Sequence, residues 1–119
     1  MSITAMQLVA EAKAVIRETS CEEVSNALSS HILLDVREPE EFAQGHLPGA
    51  INIPRGLLEF RVEQLPALQN RQTPFVVYCQ SGGRSALAAK TLASMGWHHP
   101  LSMAGGYKAW TDAGYASAR

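Results

Sequence analysis

One stretch of this chain pairs a nucleophile with backbone able to activate it: Cys79-Gln80-Ser81-Gly82-Gly83-Arg84-Ser85. A cysteine followed by two adjacent glycines and a helix headed by arginine can gather backbone N–H groups about one point, and the helix amino end adds partial positive charge there. Such a nest favours an anion. An ordinary thiol titrates near 8.5 and is only about 3% thiolate at pH 7, so these fields favour the reactive form. Cys79 is therefore the expected nucleophile, with Gln80, Ser81, Gly82, Gly83, Arg84 and Ser85 binding what it attacks. An inert buried cysteine, the commoner fate of a lone thiol, would not need this surrounding.

Other residues could join the chemistry. Asp35, Arg37 and Glu41 could form an acid/base set, but their spacing fits better a structural pair in which Arg37 meets a carboxylate beneath the loop. His46 sits in a turn between Gly45 and Gly49; a thiolate favoured by its nest needs no base, so a structural His46 is expected. Tyr107 and Trp110 lie three apart on a helix and are expected in the core, with Tyr107 or Trp97 as an alternative pocket wall. Cys21, in the first turn of a predicted helix, would gain some thiolate character but has no expected role. The neighbours His98 and His99 are expected at the surface.

The elements that must position Cys79 are legible as alternating strands and helices. Phe75-Val76-Val77-Tyr78 is the clearest strand and delivers Cys79 to its carboxyl end, after which a helix runs from Arg84 to Met95 and stops at Gly96. Ile32-Leu33-Leu34-Asp35-Val36 is an apolar run without alternation, expected at the centre of a parallel sheet and covered on both faces. Pro39 suits the first turn of a helix over 40–44, and Gly45 is expected to end it in a left-handed conformation. Further strands are predicted over 15–18, 50–53 and 101–103, and further helices over 5–14 (capped by Thr4), after the Ser20/Glu23 capping box, over 57–65 and over 107–113. In the first of these, Leu8, Ala12 and Val15 are the expected packing face. Together these imply an α/β fold with a mostly parallel five-stranded sheet and helices on both faces, with ligand sites beyond the strand carboxyl ends.

Composition sets the outer limits. A chain of 119 residues with 46% hydrophobic and 18% charged residues fits one packed domain, read as an N-terminal helical extension over 1–15 and a domain over 16–119. A net charge of −1 offers no global field for nucleic acid or anionic membrane, so neither is an expected partner. No basic leader, cleavage site or spanning stretch opens the chain, which points to the cytoplasm. The two cysteines are too far apart for a CxxC motif, and no His/Cys cluster has ligand spacing. Neither metal nor organic cofactor is expected.

With these residues in view, the chain resembles the rhodanese family. Cys79-Gln-Ser-Gly-Gly-Arg84-Ser85 is similar to its active loop, Asp35-Val-Arg-Glu-Pro-Glu-Glu41-Phe42 and Gly45-His-Leu-Pro-Gly-Ala50 to its two upstream signatures, and Gly105-Gly-Tyr-Lys-Ala-Trp110 to its closing motif. The resemblance covers roughly residues 16 to 115. It implies a sulfurtransferase in which Cys79 takes a sulfane sulfur from thiosulfate or a persulfide donor and passes it to cyanide, a thiol or a protein thiol. The amides of residues 80 to 84 would cradle the sulfur, Arg84 would fix the loop, and the Ser85 hydroxyl would bond to the sulfur. A second reading is a persulfide carrier or a sulfide or redox sensor that does not turn over. A third, a phosphatase or arsenate reductase, is disfavoured because those relatives place five residues between Cys and Arg, whereas four stand here, and the tighter cup suits a single sulfur. Thiosulfate-using rhodaneses often carry further basic residues in the loop, but position 80 is Gln. Arg55 and Lys108 are the candidates to supply that charge if they face the pocket.

Overall fold

Five short strands, β1 (Arg17–Thr19), β2 (Leu33–Asp35), β3 (Ile51–Asn52), β4 (Phe75–Tyr78) and β5 (Pro100–Met103), form one sheet in the order β1-β5-β4-β2-β3. Every pairing is parallel. They are seen in a computed structural model that describes residues 2–119. The α/β fold with helices on both faces is thus present. The centre of the sheet is β4, not the strand around residue 34, because β1 enters on the far side of β5 and leaves β2 one place from the edge.

The unbroken apolar runs follow from cover on both faces. Leu34, Val36 and Val77 pack with Leu58, Val62, Leu92 and Trp97, while Leu33, Val76 and Tyr78 pack on the opposite face with Val24, Met103 and Trp110. Successive side chains of a strand point to opposite faces, so both parities must be apolar. The first face carries α4 (Leu58–Val62) and α5 (Gly83–Ser94); the second carries α2 (Cys21–Asn26) and α6 (Gly106–Asp112).

Helix α1 (Ala5–Val15) starts at Thr4, whose capping box uses Gln7, and packs along α5. Its contact face is not the expected one: Ala12 is buried, but Leu8 and Val15 are exposed and Val9 turns inward instead. Ala12 and Val9 are small enough to let the helix sit close to α5, and Val9 Cγ2 reaches the start of α5 beside Gly83. In α2, Ser20 caps by accepting from the Glu23 amide, which is one half of the predicted box. The helix predicted over 57–65 is a 3-10 turn followed by the short α4, and Phe60 on it is exposed.

Between β2 and β3 lies α3 (Pro39–Gln44), with Pro39 in its first turn and a capping box between Glu38 and Glu41. Gly45 does not take the left-handed stop expected of it; its backbone is close to extended (φ 158°, ψ 141°). What position 45 requires is space, since a Cβ there would run into the Tyr107 hydroxyl. The Gly45 carbonyl is also held, accepting from Arg37 Nη2 at 2.7 Å. Arg37 is 2% exposed and Asp35 is fully buried, and the guanidinium grips that carboxylate through Nε at 3.1 Å and Nη2 at 2.8 Å. Burial alone would lower the Arg37 pKa, but the hydrogen bonds and charge of Asp35 outweigh it and raise it.

This pair ties the end of β2 to the end of α3. Removing the carboxylate leaves a buried guanidinium uncompensated, so Asp35→Ala should lose about 3–5 kcal/mol of unfolding free energy. Urea unfolding measures it; a loss below about 1 kcal/mol would show that water reaches Arg37.

Candidate active site

Cys79 follows the last residue of β4 and is 1% exposed. Its Sγ accepts the Gly82 amide at 3.1 Å and the Ser85 amide at 3.3 Å, and lies 3.6 Å from Ser85 Oγ. Gly82 can turn its N–H inward because its backbone is left-handed (φ 106°), a conformation costly for a residue with a Cβ. Sγ itself takes two amides, those of Gly82 and Ser85. The amides of Gln80, Ser81, Gly83 and Arg84 bond no acceptor among the described residues, which leaves donors at the start of α5 for a second atom.

The loop is fixed from behind. The first amides of α6 take its carbonyls: Tyr107 N–H donates to Cys79 O at 2.8 Å and Lys108 N–H to Gln80 O at 3.0 Å. The approach requires Gly106, at φ 61°, because a Cβ there would stand 2.5 Å from Cys79 O and 2.7 Å from the Gln80 carbonyl carbon.

Arg84 does not face the sulfur with a free charge. Its Nη1 and Nη2 bind the two carboxylate oxygens of Glu41 at 2.8 and 3.1 Å, joining α5 to α3. The hydrogen bonds from Arg84 hold the Glu41 carboxyl down at about 2, against a usual 4.5. The sequence pattern groups Glu41 with Asp35 and Arg37; its partner in the structure is Arg84.

A cavity of about 290 Å³ opens beside the loop, walled by Arg37, Glu41, Gln80, Tyr107 and Thr111. Arg37 is the basic group it presents, with Nη1 3.4 Å from Gln80 Oε1 and the guanidinium 4.4 Å over the Tyr107 ring. Tyr107 thus walls the pocket, while Trp97 is buried in the core. Neither Arg55 nor Lys108 lines this cavity. Arg55 is bound to Glu59 and to Thr91 on α5, and Lys108 to Asp112, in each case the nearest partner one helical turn on being a carboxylate. A larger hollow of about 570 Å³ over residues 25–30 and Pro48 holds no thiol and no charged group. Chemistry rather than volume marks the site.

Cys21 moves opposite to expectation: burial pushes its thiol up, outweighing a bond from its own backbone amide, and Sγ lies 3.9 Å from the carbonyls of Ala104 and Gly106. His46 Nδ1 bonds to Phe42 O at 2.8 Å and the ring stacks on Phe42, a structural placement. His98 and His99 are exposed. A residue that sequence reasoning missed is Ser102 on β5, fully buried and 2.8 Å from Ser85 Oγ. The available signal was a hydroxyl between Leu101 and Met103 in an otherwise apolar strand.

A cysteine is thus seated at the end of the middle strand, followed by a Gly-Gly helix start. The Rhodanese-like domain profile matches residues 20–113, and the chain belongs to that family. Thiosulfate sulfurtransferase 16, chloroplastic, of Arabidopsis thaliana is 41% identical over 95 residues, covering 73% of this chain and 79% of that protein. A sulfurtransferase of Allochromatium vinosum is 33% identical over 103 residues, covering 84% and 92%. A solved Rhodopseudomonas palustris protein of unknown function, described as a possible tyrosine phosphatase, superposes with a TM-score of 0.89 at 32% identity, covering 98% of this chain and 95% of its own. The two sulfurtransferases support a sulfurtransferase role, and the solved structure supports the fold. Among the described residues no helix is long and apolar enough to cross a membrane.

The clasp between Arg84 and Glu41 has a definite pH window. A carboxyl depressed from 4.5 to about 2 contributes stability that is full above the higher value and lost as pH falls through the lower. Carboxyl NMR titration should place Glu41 near 2, and the stability advantage of wild type over Glu41→Gln should shrink between those limits. A midpoint near 4.5 would mean the clasp is open in solution.

Proposed function

We propose that the protein moves a sulfane sulfur from thiosulfate or a low-molecular-weight persulfide through a persulfide on Cys79 to a thiophilic acceptor. The observation that carries this reading is the convergence of the Gly82 and Ser85 amides on Sγ, with further amides at the start of α5 unclaimed. The thiolate attacks the outer sulfur of the donor. The new S–S bond forms as the donor's own S–S bond breaks, and sulfite or a thiolate leaves with the electron pair. The outer sulfur of the persulfide stands about 2 Å beyond Sγ, within reach of the amides that Sγ does not use. Cyanide, a thiol or a protein thiol then attacks that sulfur and returns Cys79 as thiolate. No metal or organic cofactor takes part in these steps.

The four-residue spacing between Cys79 and Arg84 supports sulfur over a tetrahedral oxyanion as the bound group. Charge supports a donor of low charge: Asp35 neutralises Arg37 and Glu41 neutralises Arg84, so a dianion meets little net attraction at the mouth. A monoanionic persulfide is less affected, and thiosulfate is expected to load slowly.

Incubation with thiosulfate should add about 32 Da to the protein at Cys79, as persulfidation does, and cyanide should remove it. Cys79→Ser should abolish both. Loading on Cys21, or loading that survives in Cys79→Ser, would overturn the assignment. Gln80→Arg should raise the thiosulfate rate, since the new side chain is repelled by Arg37 and turned toward the cavity mouth. The gain should fade with salt, which screens exposed charges over roughly 10 Å at 0.1 M. An unchanged rate at low salt would show that charge does not limit this donor.

A further inference from the structure

Ser102 is fully buried on β5, where its register partner is Val77 of the central strand. A buried hydroxyl without a partner costs about 1–3 kcal/mol. Its one hydrogen-bond partner among the described residues is Ser85 Oγ at 2.8 Å, and Ser85 is fully buried too. Ser85 Oγ lies in turn 3.2 Å from Gly82 O and 3.6 Å from Cys79 Sγ. Three sulfur and oxygen atoms therefore form a chain, Ser102 to Ser85 to Cys79, sealed from solvent.

Each hydroxyl carries one proton, and this fixes the direction of the chain. If Ser85 donated to Ser102, the Ser102 proton would have no acceptor. Ser102 must therefore donate to Ser85, and the Ser85 proton is left with two destinations, Gly82 O or Cys79 Sγ. While Cys79 is a thiol, Ser85 donates to Gly82 O and the S–H points at Ser85 Oγ. Once the thiol proton has gone to solvent, Sγ can only accept, and the Ser85 proton swings to it by rotation about one bond. Ser85 and Ser102 keep their own protons throughout.

We propose that Ser102 is a positioning residue for the chemistry of Cys79, committing the Ser85 proton to the sulfur as negative charge forms there. The proposal rests on the reading of Cys79 as the sulfur-bearing nucleophile. A bond donated to Ser85 polarises its O–H and strengthens it as a donor, by about 10–30% in condensed-phase estimates. Ser85 Oγ has two lone pairs, one for Ser102 and one for the thiol proton, so the bond blocks neither state. The gain is greater where the acceptor is the charged thiolate, and this favours the thiolate over the thiol.

The test reads the thiol directly, in a Cys21→Ser background so that Cys79 alone reacts. Ser102→Thr and Ser102→Val have nearly the same shape and differ in the hydroxyl. With Ser102→Val, iodoacetamide alkylation at pH 7 should slow about threefold, and the pH profile should move up by about half a unit. Ser102→Thr should restore most of the difference. With Ser85→Ala the choice at position 102 should cease to matter. Equal profiles for Thr and Val, or a Val effect that persists in Ser85→Ala, would overturn the proposal. Alkylation needs no sulfur donor, so failure of Cys79 to load sulfur would count against the function and leave this result standing on its own.

Discussion

A peptide unit cannot point its N–H and its carbonyl to the same side, and the site depends on that constraint. Helix α6 claims the carbonyls of Cys79 and Gln80 from behind. With those oxygens held outward, the N–H groups of the same two peptide units, those of Gln80 and Ser81, are turned the other way, and the chain goes on to bring the Gly82 and Ser85 amides onto Sγ. Gly106 makes the approach possible and Gly82 makes the turn possible. The closing Gly-Gly motif, more than twenty residues from the cysteine in sequence, is thus part of the same backbone device as the loop.

Charge is managed by pairing around this cup. Two guanidiniums lie near the sulfur, and each is bound by a carboxylate from the segment spanning β2 and α3. The ion pairs therefore act as braces: one ties β2 to the Gly45 carbonyl, the other ties α3 to the first turn of α5. What remains to stabilise an anion is the set of neutral N–H and O–H donors. Such donors attract a compact charge at short range and offer little long-range steering.

Much of this was legible in the sequence, and the departures have physical causes. The strand Phe75–Tyr78 and the helix after it follow from local pattern, as do the Thr4 cap and the Pro39 helix start. The place of Cys79 at the carboxyl end of that strand was legible too, because the Gly-Gly turn follows it directly. The central place of β4 was not, since strand order is decided by crossovers and both candidate strands are equally apolar. The packing face of α1 was misjudged because burial went to the small Ala12 and not the larger Leu8 and Val15, where only close approach to α5 decides. Arg55 and Lys108 could have served the pocket only by facing it, and each instead meets a carboxylate one turn away. Ser102 shows in the sequence only as a hydroxyl in an apolar strand, because its partner lies across the sheet and helix interface.

The atoms that hold the loop belong to the main chain. Gln80 and Ser81, exposed at its crown, are relieved of structural duty: α6 holds the carbonyls of Cys79 and Gln80, and the side chains of 80 and 81 make no hydrogen bond among the described residues beyond the long contact from Gln80 to Arg37. Architecture and selectivity are thereby separated within adjacent residues. Substitutions at 80 and 81 can alter what meets the cavity mouth while the scaffold stays unaltered, so the same framework can diversify through these two positions without first acquiring compensating changes elsewhere.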